Sequence, residues 1–390
     1  MKALCWFGKH EVGIRNVKEP SIINRHDAII KVTHASISGS DLHIYNGAIP
    51  TMEKGDILGH ETMGEVMAVG ALVTKVKVGD TVVIPFNIAC GSCHFCKEQE
   101  YASCDNTNPN SVMADRLYGH SGSALFGYSH MYGGYAGGQA EFLRVPFIDT
   151  NSLVIPKDVP DEKVLFLSDI LPTGYMAAEN CNIKPGDTVA IWGAGSVAQM
   201  AIRSAYLLGA ERVIAIDHYE KRLEMAEKSG AHTINFENSD NVLDEINYLT
   251  GGRGPDSCID AVGMEAHGHT ITATLDRAKM AVGLATDRPD ALRQAIQACK
   301  KGGTVSIPAM YGGFLDKMPF GAAYGKGLTF KMGQTHTQKY MKPLLQKVLE
   351  DQLDPSFVIT QRIDLDKAPQ AYQLFNDQKN ECIKVVINMH

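Results

Sequence analysis

Thr188-Val189-Ala190-Ile191-Trp192-Gly193-Ala194-Gly195-Ser196-Val197-Ala198 lies near the middle of a chain of 390 residues and decides how the rest is read. Its first five residues form a short apolar run suited to a buried strand, and Gly193 to Ala198 follow directly as a tight turn. Val197 to Leu208 then carries apolar residues at helical spacing, with Gly209 as its stop. A second strand, Arg212 to Ile216, ends on Asp217. A strand, a glycine turn, a helix and a second strand closing on an acid make up a dinucleotide-binding unit.

Each part of that unit has a mechanical job. Gly193 permits the sharp turn, and Gly195 lets backbone amides approach a pyrophosphate, which then rests at the positive helix start formed by Ser196 and Val197. Ala198 stands where the fingerprint has its third glycine, a position that needs only a small side chain. Asp217 can accept both ribose hydroxyls of an adenosine and would repel a 2′-phosphate, which favours NAD over NADP.

A chain of this length is too long for one compact core and is expected to form two domains. The formal net charge of −7 and the lack of a basic face exclude a nucleic-acid binder. No apolar run approaches membrane-spanning length, and Met1 to Phe7 is too short for a signal-peptide core, so a cytoplasmic protein is expected. Nine cysteines without a secretion signal argue against a disulfide framework. Cys5, Cys181, Cys258, Cys299 and Cys382 are scattered and read as small core residues.

The other four cysteines are bunched. Cys90, Cys93 and Cys96 are separated by two residues each, and Cys104 follows after seven more. A two-residue gap lets a chain place two sulfurs on one tetrahedral metal, and four thiolates close the shell, so this is a structural zinc site. The long polar stretch from Asp105 to Gly138 reads as a loop that walls a substrate cleft.

From Met1 to about Pro85 the chain reads as short strands broken by turns, a barrel-like all-β lobe. Two polar clusters interrupt it, Ser38-Gly39-Ser40-Asp41-Leu42-His43 and Gly59-His60-Glu61. With Gly137-Gly138-Gln139-Ala140-Glu141-Phe142, Ile259-Asp260-Ala261-Val262-Gly263 and the central unit, they give a resemblance to the zinc-dependent medium-chain alcohol dehydrogenases that covers nearly the whole chain. The resemblance implies an α/β protein with a GroES-like β-barrel catalytic domain and a doubly wound Rossmann domain. The catalytic domain takes residues 1–165 and 320–390, with the zinc lobe at 90–104, and the NAD-binding domain takes 166–319.

It also implies a catalytic zinc held by His60 and Asp169, with Ser40 and His43 as proton relay and Glu61 behind the metal. The family's third ligand is a cysteine, and here Ser38 stands in its place. A serine hydroxyl stays protonated near neutral pH and is a poor zinc ligand, whereas a thiolate supplies charge and soft donation. Three readings of Ser38 stay open. It is an introduced cysteine-to-serine exchange that disables zinc binding while keeping shape; or the site is natural and holds zinc through His60, Asp169, Glu61 and water; or the chain is a zinc-free member of the superfamily. Retention of Asp41, Glu61, Ser40 and His43 speaks against the last, and the first is favoured.

Within the family, Ser168-Asp169-Ile170-Leu171-Pro172-Thr173-Gly174-Tyr175 and the long stretch from Met264 to Cys299 most resemble the glutathione-independent formaldehyde dehydrogenases. That resemblance adds Arg222, Val262, His269 and His336 to the NAD site, and it implies a small alcohol or aldehyde as substrate and a homo-oligomer, tetramer or dimer. The expected reaction is hydride transfer between a small alcohol or hydrated aldehyde and NAD, slowed or altered by Ser38. The rivals are a zinc-free reductase and a cofactor-binding protein without turnover.

Overall fold

The computed structural model describes residues 1–264, 289–313 and 315–389. The chain forms two compact units, Met1–Pro172 with His336–His390, and Thr173–Thr335.

The first unit contains β1 (Lys2–Gly8), β2 (Glu11–Asn16), β3 (Ala28–Ile37), β4 (Thr62–Val69), β5 (Thr81–Ile84), β6 (Asn87–Ile88), β7 (Ala124–Leu125), β8 (Phe142–Val145) and β9 (Leu153–Val154). The second contains β10 (Thr188–Trp192), β11 (Arg212–Asp217), β12 (His232–Asn235), β13 (Ser257–Asp260), β14 (Thr304–Ile307) and β15 (Thr329–Met332). The chain then returns to the first unit with β16 (Gln361–Asp364) and β17 (Val385–Asn388).

The main sheet of the first unit runs β16-β17-β3-β4-β5-β9, with β8 also pairing to β3. β3 (Ala-Ile-Ile-Lys-Val-Thr-His-Ala-Ser-Ile) is rich in β-branched residues and holds the sheet together because it pairs with β17, β4 and β8. Its C-terminal end, Ala35 to Ile37, is buried, and the chain continues through Ser38 into a helix over Gly39–Tyr45.

In the second unit all strands are parallel, in the order β12-β11-β10-β13-β14-β15. This is a doubly wound order with its reversal between β10 and β13, where such sheets bind ligands outside the strand ends. Alternation along each strand divides the core between the two faces. Ala190, Trp192, Ile214 and Ile216 pack with Ile246 and the helix Asp290–Ala298 on one side. Val189, Ile191, Val213 and Ala215 pack with Ala198, Ala201, Ile202 and Ala205 on the other. Strands covered on both faces are near-continuously apolar, the pattern Thr188 to Trp192 shows.

Three features differ from the expectation. The units divide after Pro172 and before His336, against expected boundaries at 165/166 and 319/320, because β15 completes the parallel sheet. The sequence from Asp161 to Asn180 reads as one helix, but the structure interrupts it: a helical turn at Asp161–Val164 and a 3₁₀ turn at Leu165–Ser168 end at Asp169, and a new helix spans Ile170–Asn180. Asp169 has φ −154° and ψ −76°, outside the helical region. Pro172 is the cause, since its ring would clash with the carbonyl four residues back, and that carbonyl, on Ser168, instead accepts the Phe86 N–H at 3.0 Å. Finally, the expected loop from Asp105 to Gly138 contains a helix over Ser111–Tyr118, closed by Gly119 in a left-handed conformation.

Candidate functional site

Gly59 sets up the first cluster. Its φ is +98°, and a Cβ there would lie 2.4 Å from Gln139 Cγ, so only glycine lets the chain pass Gln139 into His60-Glu61. Gln139 is itself fixed: Nε2 donates to the Ser36 carbonyl at 2.9 Å, and Oε1 accepts the buried Tyr372 hydroxyl at 2.9 Å.

His60 is the centre of the cluster and is only 5% exposed. Its Nε2 lies 3.2 Å from Asp169 Oδ2 and 3.2 Å from Ser40 Oγ. Its Nδ1 lies 3.4 Å from Asp41 Oδ1. Burial disfavours the imidazolium, but the Asp41 and Asp169 carboxylates outweigh it and hold the His60 pKa well above the ordinary histidine value. With its Nδ1 toward Asp41, the ring aims Nε2 at the space shared with Asp169 and Ser40. The break at Asp169 turns its carboxylate into that space, and its side chain is 13% exposed.

Ser38 is buried at the start of the helix Gly39–Tyr45, and its N–H donates to Asp41 Oδ2 at 2.8 Å. One aspartate therefore fixes the backbone of Ser38 and also faces the ring of His60. Ser40 and His43 lie three residues apart on this helix, a spacing that places them on one face. Glu61 is fully buried, and its Oε2 accepts from Ser36 Oγ and from Lys384 Nζ. Glu61 Oε1 has no hydrogen-bond partner among the described residues.

The donor set fits a divalent cation. His60 Nε2 and Asp169 Oδ2 converge, hydroxyl oxygen is at hand, and an orphaned carboxylate oxygen lies next in the chain. The soft third donor of a catalytic zinc site is missing at Ser38.

The four bunched cysteines come together. Their sulfurs lie within 4.8 Å of one another, and among the described residues this is the one group of three or more His, Cys, Asp or Glu side chains so placed. All four are free thiols. Cys90 and Cys96 are 3.9 Å apart at sulfur, as are Cys93 and Cys104. Burial pushes the Cys90 thiol up, but N–H groups of Ser92 and Cys93 and the Asn106 amide donate to its sulfur and bring its pKa down to about 6. That favours the thiolate a metal needs. Burial raises the Cys96 and Cys104 thiols, whose proton a metal would have to displace.

In the second unit the turn is built as the fingerprint requires. Gly193 has φ +96°, and a Cβ would press on Val262 and the Ala261 carbonyl at 3.1 and 3.2 Å. A Cβ on Gly195 would meet nothing closer than Arg222 Nη1 at 3.8 Å. The helix Ser196–Leu207 starts here with Gly195 as its N-cap. Asp217, at the end of β11, accepts the Ala194 N–H at 2.7 Å on Oδ2 and the His218 and Tyr219 N–H groups on Oδ1. The structure thus gathers Gly193, Gly195, Ser196, Val197, Asp217, Arg222 and Val262 around one turn.

His336 lies in the first unit, where its Nδ1 accepts the Ala102 N–H at 3.2 Å beside the thiol lobe. His269 lies outside the described residues. Sequence reasoning missed Lys384 and Ser36 on Glu61, although a lysine inside the apolar run Ile383-Lys384-Val385-Val386-Ile387 was a signal. It also missed Gln199, whose buried amide donates to the Ala194 and Arg222 carbonyls at 3.0 and 2.9 Å and so ties turn to helix. The scattered cysteines Cys5, Cys181, Cys258, Cys299 and Cys382 are buried, and among the described residues no helix is long and apolar enough to cross a membrane.

Comparison with known proteins gives the family. Residues 24–156 match the alcohol dehydrogenase GroES-like domain, and residues 196–285 match the zinc-binding dehydrogenase family. The chain is 39% identical over 390 residues to an uncharacterized zinc-type alcohol dehydrogenase-like protein of Bacillus subtilis, covering 99% of this chain and 100% of the relative. It is 35% identical over 422 residues to the glutathione-independent formaldehyde dehydrogenase of the same organism, covering 100% of this chain and 97% of the relative. The solved alcohol dehydrogenase TADH from Thermus sp. ATN1 superposes with a TM-score of 0.84 at 33% identity, covering 100% of both chains. A GroES-like unit, a six-stranded dinucleotide unit, a four-thiol cluster and full-length likeness to such enzymes lead to one conclusion: the chain belongs to the zinc-dependent alcohol dehydrogenase family and is an NAD-dependent alcohol or aldehyde dehydrogenase.

Proposed function

We propose that the chain oxidises a small primary alcohol or hydrated aldehyde, formaldehyde hydrate included, and that Ser38 makes it a slow form of that catalyst. The observation that carries this reading is the convergence of His60 Nε2, Asp169 Oδ2 and Ser40 Oγ within 3.2 Å contacts in a buried cluster. His60 and Asp169 would hold the metal, and a zinc ion bound there would supply the Lewis acidity that lowers the pKa of a substrate hydroxyl by many units.

The chain's own residues do the rest. The Ser40 hydroxyl takes the substrate's proton and passes it to His43, the next basic group on that helix. A bound NAD⁺ would supply the hydride acceptor. Alcohol and NAD⁺ become aldehyde, NADH and a proton, so the step balances. Asp41 keeps the His60 ring oriented throughout. The four cysteines would hold a structural zinc. In the second unit Asp217 would accept the adenosine ribose hydroxyls of a bound NAD, and the helix start at Ser196 would receive its pyrophosphate.

Metal counting tests this reading. Protein stripped of metal and equilibrated with zinc is expected to hold two zinc ions per chain, the second weakly, and to show slow, zinc-dependent NADH formation with short primary alcohols or formaldehyde. One zinc only, with no turnover on any such substrate, would sink it and leave a cofactor-binding protein without turnover.

Asp217→Asn keeps an acceptor and removes the charge. The preference for NAD over NADP is expected to fall by about ten- to a hundredfold, the worth of one hydrogen bond to a charged group plus relief of repulsion. Dissociation constants for the two cofactors check this, and an unchanged ratio would remove Asp217 from the ribose site.

A further inference from the structure

We propose that Lys384 is a positioning residue that withholds Glu61 from the His60–Asp169 pocket, and so sets how many protein donors a divalent cation finds there. The inference rests on the metal-binding reading of that pocket given above.

Lysine is almost never fully buried unless paired, yet Lys384 has no exposed surface. Its position follows from the sheet. It directly precedes β17, which pairs antiparallel with the end of β3 so that Val385 faces Ile37 and Val386 faces Ser36. The side chain crosses the Phe166 ring, with Nζ 5.5 Å from its centroid, and ends on Glu61 Oε2. Ser36 Oγ donates to the same oxygen. Glu61 is thus held through one oxygen by two donors, while its other oxygen, Oε1, is buried with no partner among the described residues.

A buried carboxylate oxygen without a partner costs free energy and awaits a donor or a cation. Glu61 follows His60 directly in the chain, and its carboxylate would have to leave Lys384 and Ser36 to reach an ion bound by His60. The charge count shows why the restraint matters. A divalent cation on Asp169 and a cysteine thiolate would be neutralised locally, whereas with Ser38 one positive charge remains uncompensated. That charge attracts Glu61, and the Lys384 ammonium competes for the same carboxylate. Two cations therefore claim one anion. The lysine, carried on the sheet, keeps Glu61 in place and leaves the pocket with two protein donors.

The test uses the full chain with its four-cysteine site filled with zinc, and Co²⁺ as the probe of the other site. Lys384→Met is expected to bind Co²⁺ about tenfold or more tightly than the parent, the scale by which supporting residues alter metal affinity. The visible spectrum should shift as a carboxylate joins the ion. The gain should vanish in the double variant Lys384→Met/Glu61→Gln, and Lys384→Arg should restore the parent value. Affinity in Lys384→Met that is equal or weaker overturns the proposal, and so does a gain that survives Glu61→Gln.

If Lys384→Met does not fold, Ser36→Ala removes only the second hold on Glu61. It should strengthen Co²⁺ binding by a few fold, and no change would count against the role of Lys384. The outcomes also separate this inference from the reading it rests on. A parent that binds Co²⁺ with a Lys384→Met form that binds no tighter overturns the lysine's role alone. Absence of Co²⁺ binding in parent and variants alike overturns both.

Discussion

Replacing Ser38 with cysteine is expected to raise kcat by about a hundredfold or more and to convert the weak second zinc into a tightly held one. The effect is large because the exchange supplies the missing donor rather than adjusting a present one. Even residues that merely orient a metal's ligands are worth roughly 10- to 100-fold in affinity or activity, and a ligand itself should be worth at least that. The backbone is already prepared: β3 carries Ser38 to the pocket, Asp41 holds its N–H at 2.8 Å, and the residue is 4% exposed, so one sulfur replaces one oxygen without new chain geometry. The thiolate would also neutralise the charge left uncompensated beside Asp169. Steady-state rates with a short primary alcohol and with formaldehyde, measured beside zinc content and a cobalt–thiolate absorption band, decide the matter. Equal rates and equal zinc in Ser38→Cys and the parent would show that the pocket works without a thiolate.

Cys104→Ser is expected to cost the thiol lobe its fold. The apolar cluster there consists of Ala89, Cys96 and Cys104, with Cys90, Cys93 and Tyr101 packed against it, so most of the lobe's core is the ligand set itself. Four-cysteine sites contribute on the order of 10 kcal/mol at neutral pH, far more than burial of such a small cluster. Removing one thiolate leaves the other three close together without the ion that reconciles them. Cys104 is the member to remove, because it is fully buried and its sulfur accepts the Cys90 N–H at 3.3 Å. Hydrogen exchange should become fast over residues 89–107 while the six parallel strands keep their protection, and zinc content should fall by one per chain. Unchanged exchange across that segment would mean the lobe is held by its contacts and not by metal.

Local patterns were readable and distant pairings were not. β10, its turn and β11 were legible because a strand buried on both faces, a glycine at positive φ and a terminal acid all leave marks within a few residues. The cysteine lobe was legible for the same reason. The break at Asp169 had a local cause in Pro172, but the helical spacing on either side masked it. The helix Ser111–Tyr118 was hidden by a polar sequence that shows no strong apolar stripe. The partners of Glu61 could not be read at all, since Ser36 and Lys384 stand 25 and 323 residues away and only the sheet register brings them in. Asp169 was implied only by the family resemblance; it stands 109 residues from His60 in sequence and 3.2 Å away in space.

The position of β17 between β16 and β3 has a consequence during biosynthesis. Chains emerge from the ribosome at about 5 to 20 residues per second, so the 323 residues separating Glu61 from Lys384 take roughly 15 to 65 seconds to appear. The parallel sheet of the second unit is complete on the nascent chain before β17 exists, whereas the His34–Ile37 end of β3 waits unpaired on one edge, beside a glutamate without its ammonium. A message cut short before Lys384 would yield a polypeptide with a sound nucleotide-binding half and a sticky, unfinished barrel, the kind of product chaperones retain and proteases clear.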